Sequence, residues 1–96
     1  MISIRYESEK KRAAAYDGEK EVGESTYSAS DTIWIIDHTL VDPGYGGQGI
    51  AGKLVARIVE EARAQNKKIL PLCPFAKREF EKKDEYQDVL LKEETL

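Results

Sequence analysis

Hydrophobic and polar residues alternate along the first part of the chain, and this two-residue period is typical of β-strands with one buried face. Residues 2–6 (ISIRY) show the pattern first, and residues 12–16 (RAAAY) follow after a polar turn at residues 8–11. Residues 21–28 (EVGESTYS) repeat it, interrupted by Gly23, which weakens a strand. We therefore expect these segments to pair as an antiparallel meander.

Asp17 and Gly18 predict a tight hairpin turn, because both central residues of a type I′ turn need positive φ. The next strand leads through Ser30 and Asp31 into residues 32–41 (TIWIIDHTLV), which contain a run of consecutive apolar positions. Such a run is typical of a strand that is covered on both faces. This strand is therefore predicted to lie in the centre of the sheet.

The hydrophobic period lengthens at Ile50 to that of a helix. The apolar positions that follow share one helical face: Ile50, Ala51, Leu54, Val55, Ile58, Val59 and Ala62. Asn66 suits the C-cap of this helix, and residues 68–73 (KILPLC) then form a short apolar strand. A strand, a helix and a second strand in this order form a βαβ unit, so the new strand should run parallel to residues 32–41.

Pro71 lies within this last strand and has no backbone N–H, so the strand is not expected to be paired fully on both sides. We expect it to diverge from the central strand and to leave a cleft. A final helix should begin near Pro74, which suits the first position of a helix. This helix carries Phe75 and Phe80. Asp84 should cap a last short turn that contains Tyr86, Val89 and Leu90.

Composition limits the class of protein. A chain of 96 residues provides for one domain, residues 1–96, with one core. A hydrophobic content of 41% with 34% charged residues is typical of a soluble globular protein, and the one cysteine fits a reducing cytoplasm. The net charge of −3 argues against nucleic acid as the main partner. We expect neither a membrane span nor a signal peptide, and the predicted fold class is α+β.

Between the central strand and the helix, residues 42–55 (DPGYGGQGIAGKLV) contain five glycines. A glycine-rich loop before a helix allows the backbone to approach a phosphate closely. A dinucleotide pattern, G-x-G-x-x-G, is matched by Gly44, Gly46 and Gly49. A Walker pattern, apart from its final Ser or Thr, is matched by Gly47, Gly52 and Lys53. The acyl-CoA pattern [RQ]-x-x-G-x-[GA] is nearly matched by residues 46–51 (GGQGIA).

Two of these patterns lack a residue on which their chemistry depends. A P-loop needs a hydroxyl for magnesium after its lysine, but the chain has Leu54 there, which fits the buried face of the helix. A dinucleotide site needs an acidic residue at the end of the next strand, and that strand ends with Leu72 and Cys73. A glycine turn without a ligand stays an alternative, although it would leave N–H groups at the helix start unpaired.

The third pattern agrees with its surroundings. An antiparallel meander, a long central strand, the GGQGIA loop, an amphipathic helix and a diverging strand resemble the GNAT superfamily of acyl-CoA-dependent N-acetyltransferases over the whole chain. The short length, the sequence IDHTLV before the loop and the sequence LCPF after the helix look like the compact YjdJ-type subgroup. The resemblance implies an α/β/α-like GNAT fold with a splayed parallel strand pair, and acetyl-CoA as co-substrate without a metal.

The resemblance also implies the residues that bind acetyl-CoA. The loop would hold the pyrophosphate through backbone N–H groups, and the pantetheine arm would lie in the cleft. The implied cofactor-binding residues are Leu40, Val41, Gly46, Gly47, Gln48, Gly49, Ile50, Ala51, Cys73 and Phe75. The family usually has Arg or Gln where this chain has Gly46, so one side-chain contact is missing. Charge can come instead from Lys53, Lys77 or Arg78, unless these are plain solvated residues.

The reaction that the resemblance implies is attack of an amine on the thioester. His38, the one histidine, is a candidate base, with a purely structural histidine as the alternative. Cys73 is the second candidate catalytic residue, as a nucleophile or a proton donor, with a packing residue as the alternative. N–H groups near Leu40 would stabilise the oxyanion. The last helix lacks the tyrosine acid of many members, and Tyr86 could replace it only if the C-terminal segment folds back.

The sequence therefore predicts an acetyl-CoA-dependent N-acetyltransferase that acts on a small or protein amine. The alternative is a CoA-binding or interaction module with little or no transferase activity. The expected partners are acetyl-CoA and an unidentified amine, with no nucleic acid, membrane or metal. Exposed sheet edges are compatible with a monomer or a weak homodimer, and the expected location is the cytoplasm.

Overall fold

The computed structural model describes residues 1–92, which contain one five-stranded sheet and two α-helices. The strands are β1 (Ile2–Glu7), β2 (Arg12–Asp17), β3 (Lys20–Ala29), β4 (Ile33–Val41) and β5 (Lys68–Pro71), and the helices are α1 (Ile50–Ala64) and α2 (Pro74–Lys82). Short 3-10 turns span Ser8–Lys10, Pro43–Tyr45 and Asp84–Tyr86. The strands follow one another across the sheet in sequence order, antiparallel from β1 to β4, with β5 parallel to β4. The predicted α+β class, the meander and the βαβ unit are confirmed.

The hairpin between β2 and β3 lies where the sequence predicts it, but its turn is different. Asp17 pairs with Lys20, so Gly18 and Glu19 are the two residues of the loop. Of these two, Gly18 alone has a positive φ, at 65°. These are the φ signs of a type II′ turn, so the predicted type I′ turn is wrong.

Both helices cover the same face of the sheet. On this face the rings of Tyr27 and Trp34 stack with their centroids 4.2 Å apart, and the α1 side chains Leu54 and Ile58 are fully buried against it. Phe80 of α2 belongs to the same buried cluster. Among residues 1–92 the helical layer therefore lies on one face, and the opposite face carries mainly polar side chains. Within the same residues no helix is both long enough and apolar enough to cross a membrane.

A β-bulge in β4 coincides with the end of its pairing to β5. Thr26 pairs with His38 while Tyr27 pairs with Ile36, so Asp37 is an extra residue on β4. A bulge of this kind bends the strand and increases its local twist. The ladder to β5 ends at the same place, where Ile36 faces Pro71. Beyond this point, within residues 1–92, β4 pairs with β3 alone, and the predicted divergence of the parallel strands is confirmed.

The cause of the divergence differs from the one that the sequence suggested. Leu72 donates its N–H to Ile36 O at 3.2 Å, whereas Ile69 donates in the other direction, to Val89 O at 2.6 Å. Backbone N–H groups of successive residues point to opposite edges of a strand. Pro71 is two residues after Ile69, so the N–H that it lacks would have pointed toward Val89, away from β4. Pro71 therefore limits pairing on the outer edge of β5, and the bulge at Asp37 is what turns β4 away.

Gly23 of β3 lies unusually close to β4, and a side chain there should destabilise the protein. A Cβ atom would come within 2.9 Å of Leu40 O and 3.3 Å of Val41 Cγ2. We expect Gly23→Ala to lower the free energy of unfolding by about 1–3 kcal/mol, measured by urea denaturation. Gly44→Ala is the matched control, because a Cβ at Gly44 meets no atom within 4 Å. Equal stability of the two variants would contradict the close approach.

Candidate active site

The glycine-rich loop leads directly into the N-terminus of α1. Gly49 caps the helix with φ 76°, and Gly47 has φ 81°, so both positions favour glycine for their backbone conformation. The first helical hydrogen bond runs from Lys53 N–H to Gly49 O at 3.2 Å. The N–H groups of Ile50 and Ala51 therefore have no partner within the helix and point out of its positive end. This arrangement suits an anion such as a phosphate.

Tyr45 fixes the loop to the hairpin between β2 and β3, and the sequence analysis missed this contact. Its hydroxyl donates to Asp17 Oδ2 at 2.8 Å, and Lys20 Nζ lies 5.5 Å from the centre of its ring. Hydrogen bonding to Asp17 raises the pKa of Tyr45. The contact joins residues that are far apart in sequence, so no local pattern predicts it.

Three cations were predicted to supply charge to this end of the molecule. Lys53 lies in the first turns of α1, and Lys77 and Arg78 lie in α2. All three are exposed, and none has an ion-pair partner among residues 1–92. Their charges are thus not neutralised by neighbours that the structure describes.

The second half of β4 directs backbone N–H groups into the cleft, where that of Thr39 faces the Cys73 sulfur. Asp42 donates its N–H to Val22 O of β3 at 2.8 Å, and Leu40 pairs with Glu24 of the same strand. Because N–H directions alternate, the N–H groups of Thr39 and Val41 point the other way, into the cleft. The donors that the sequence analysis expected near Leu40 are therefore those of its two neighbours, while the Leu40 side chain is 59% exposed.

Cys73 lies on the opposite side of this cleft, at the N-terminus of α2. It is 5% exposed, and its Sγ lies 3.6 Å from Thr39 Oγ1. Burial raises the pKa of the thiol, but the N–H of Ala76, the hydroxyl of Thr39 and the N–H groups of Phe75 and Thr39 outweigh it and hold the pKa below its usual value. These donors favour the thiolate, which is the reactive form of cysteine. Phe75, a predicted cofactor-binding residue, thus contributes its backbone here.

His38 lies on the other face of the sheet. Successive side chains of a strand point to opposite faces, so His38 points away from the helices while Thr39 points toward Cys73. Its ring nitrogens both have neighbours, with Nδ1 3.2 Å from Thr26 Oγ1 and Nε2 3.1 Å from Glu24 Oε2. The structure therefore does not bring together the two residues that the sequence analysis selected as catalytic.

The partner of His38 belongs to an ionic network that the sequence analysis missed. Arg12 is only 8% exposed and donates to Glu7 at 2.7 Å, Glu24 at 2.7 Å and Glu21 at 2.9 Å. Hydrogen bonding from Arg12 lowers the pKa of Glu24 against the opposing effect of burial. Glu7 ends β1, Glu21 and Glu24 lie in β3, and Arg12 begins β2, so the network joins three strands and no sequence spacing indicated it.

The C-terminal segment folds back, but it does not bring Tyr86 to Cys73. Leu91 donates its N–H to Ile69 O at 2.9 Å, so this segment runs along the outer edge of β5. The Tyr86 ring lies 5.2 Å from that of Phe80, and burial raises the pKa of its hydroxyl. The neighbours of Tyr86 lie in α1 and α2, whereas the Cys73 sulfur contacts Thr39 of β4 and the first turn of α2. Among residues 1–92 no group of acidic, histidine and cysteine side chains is arranged to hold a metal ion.

Comparison with known proteins identifies the class of protein. The family model of the GCN5-related N-acetyl-transferases matches residues 6–89. The chain therefore belongs to the GCN5-related N-acetyltransferase family and is an acyltransferase of that class. Its fold is similar to the NMR solution structure of a GCN5-like protein from Staphylococcus aureus, with a TM-score of 0.74 and 40% sequence identity over 96% of this chain and 90% of the other. The comparison with curated protein sequences gives no match.

The alternation of N–H groups in β4 can be tested by NMR-detected hydrogen exchange. In the protein without ligand, the N–H of Val41 should exchange faster than that of Leu40, because Leu40 pairs with Glu24 and Val41 faces the cleft. Glu24, on the other side of the same pair, should be protected like Leu40. Equal protection of Val41 and Leu40 would show that the cleft edge of β4 is covered.

Proposed function

We propose that this protein transfers an acetyl group from acetyl-CoA to a primary amine. The observation that carries the proposal is the opening between β4 and β5, where the N–H groups of Thr39 and Val41 and the sulfur of Cys73 face the same cleft. A thioester placed there would meet N–H donors on one side and a thiol on the other. Family membership supplies the reaction class, acyl transfer to nitrogen.

The loop before α1 is the proposed site of the coenzyme A pyrophosphate. The free N–H groups at the helix start favour an anion, with an interaction of roughly 0.3–1 kcal/mol when exposed. Gly46 supplies no side chain, so these backbone donors carry the contact. Lys53, Lys77 and Arg78 are proposed to add attraction for the phosphates, because they have no ion-pair partners among residues 1–92.

The proposed chemistry forms a C–N bond and breaks the C–S bond of the thioester. In one route the Cys73 thiolate attacks the thioester carbonyl, which gives acetyl-Cys73 and the CoA thiolate, and the amine then attacks acetyl-Cys73. The donors around Sγ support this route, because they favour the thiolate. In the other route the amine attacks the thioester directly, and Cys73 gives its proton to the departing thiolate.

Both routes need the amine in its neutral, unprotonated form. For an alkylamine with a pKa of about 10.4, this deprotonation costs roughly 4–5 kcal/mol at neutral pH. His38 is the proposed base only for an amine that arrives from the polar face of the sheet, because its ring lies on that face. An amine that arrives from the helical face would lose its proton to the solvent or to the Cys73 thiolate.

The binding site can be tested by thermal shift. Acetyl-CoA should raise the melting temperature, whereas NAD and ATP with magnesium should not. Gly47→Glu and Gly49→Glu should abolish the shift, because each places a carboxylate where the pyrophosphate is proposed to bind. Ala29→Glu adds the same charge at the far end of β3 and should retain the shift. Stabilisation by ATP with magnesium but not by CoA would refute the assignment.

Catalysis can be tested with Cys73→Ala. We expect acetyl transfer, measured over a panel of amines, to fall by about 100-fold or more while CoA affinity changes little, because the residue is proposed to act on the transition state. Acetyl-Cys73 detected by intact mass would support the covalent route. If acetyl-CoA binds and no amine in the panel is acetylated, the protein is instead a CoA-binding module.

A further inference from the structure

Ser25 places a hydroxyl group inside the apolar layer between the sheet and the helices. It belongs to β3, is 0% exposed, and lies on the same face as the buried ring of Tyr27. Its Oγ lies 3.0 Å from Thr39 Oγ1, and no other side-chain hydrogen bond of Ser25 occurs among residues 1–92. Thr39 Oγ1 in turn lies 3.6 Å from Cys73 Sγ, which donates to it while the thiol is protonated. Three side chains therefore form a row from the core to the cleft.

The burial of Ser25 fixes the direction of its hydrogen bond to Thr39. A buried hydroxyl hydrogen without an acceptor is unfavourable, and the acceptor beside Ser25 is Thr39 Oγ1. If Ser25 donates to Thr39, the hydrogen of Thr39 is free to donate to the sulfur. In the reverse direction the Ser25 hydrogen would have no acceptor in the part of the chain that the structure describes.

We infer that Ser25 and Thr39 form a hydroxyl relay that positions Cys73, with Ser25 donating to Thr39 and Thr39 donating to the sulfur when Cys73 is a thiolate. Thr39 is thus a positioning residue, because it acts through Cys73, and Ser25 orients Thr39. The relay holds the sulfur as a hydrogen-bond acceptor at the cleft edge of β4. Its importance for catalysis rests on the proposed function of Cys73, but the relay itself can be measured without acetyl-CoA.

The surroundings of Cys73 favour hydrogen bonding over ion pairing as the source of its properties. The groups that lower the pKa of the thiol against burial are the N–H groups of Ala76, Phe75 and Thr39 and the hydroxyl of Thr39. The elements packed against Cys73 are β4 and α2. Their charged side chains are paired or exposed: Asp37 accepts from Ser28, His38 lies near Glu24, Glu79 pairs with Lys82 and Lys83, and Lys77, Arg78 and Glu81 are exposed.

The experiment is the pH dependence of iodoacetamide alkylation, measured on the full chain without acetyl-CoA. Cys73 is the one cysteine, so the signal has a single source. Thr39→Val removes the hydroxyl and keeps the shape, and we expect it to raise the midpoint by about one pH unit, which is about tenfold in rate below the midpoint. Thr39→Ser keeps the hydroxyl and should restore the midpoint. Ser25→Ala should raise the midpoint by a smaller amount.

Thr26→Val is the matched control. It makes the same substitution at the residue that follows Ser25 in β3. Because Thr26 contacts His38 on the polar face, the midpoint for Cys73 should not change. A midpoint in Thr39→Val equal to that of the wild type, or a Thr39→Ser variant that behaves like Thr39→Val, would overturn the relay. If Thr39→Val does not fold by circular dichroism, Ser25→Ala decides: an unchanged midpoint in that variant overturns the relay.

The relay and the proposed function fail in different ways. A wild-type midpoint below the ordinary value of about 8.5 that Thr39→Val raises, in a protein that acetylates no amine, supports the relay and refutes the function. Acetyl transfer that depends on Cys73, together with a midpoint that Thr39→Val leaves unchanged, supports the function and refutes the relay.

Discussion

In the part of the chain that the structure describes, the fold depends on a strand, β4, that is paired on both sides along its first half and on one side along its second. The extra residue Asp37 falls where the ladder to β5 ends, so the two strands part at Ile36 and Pro71. The first half of β4 is thereby paired with both β3 and β5, and in the second half the N–H groups of Thr39 and Val41 face the cleft.

The same strand separates two chemical environments. Side chains alternate across it, so Thr39 belongs with Ser25 and Cys73 beneath the helices, while His38 belongs with Thr26 and Glu24 on the polar face. The two faces of the sheet also differ in the groups that stabilise their polar side chains. The helical face uses neutral hydrogen-bond donors around a sulfur, and the polar face satisfies the mostly buried Arg12 with carboxylates.

The loop before α1 joins these environments to the proposed anion site. Its glycines at 47 and 49 adopt positive φ, and the helix begins with N–H groups that have no partner within the helix. Tyr45 attaches the loop to the β2–β3 hairpin through Asp17. The proposed anion site and the cleft are consequently formed by adjacent parts of the chain, because β4 leads into the loop and the loop into α1.

Local patterns in the sequence determined the strands, the helices and the glycine loop, because hydrophobic period and turn chemistry depend on residues that are close together in the chain. They also predicted the divergence at β5, although the cause was assigned to Pro71, whose missing N–H faces the outer edge. Only the tertiary structure decided which side chains meet. The bulge at Asp37 sets the face on which each later residue of β4 lies, and a shift of one residue exchanges the two faces. For this reason the sequence could select His38 and Cys73 but could not show that they lie on opposite faces. Nor could it show that Thr39 contacts the sulfur and Ser25 contacts Thr39.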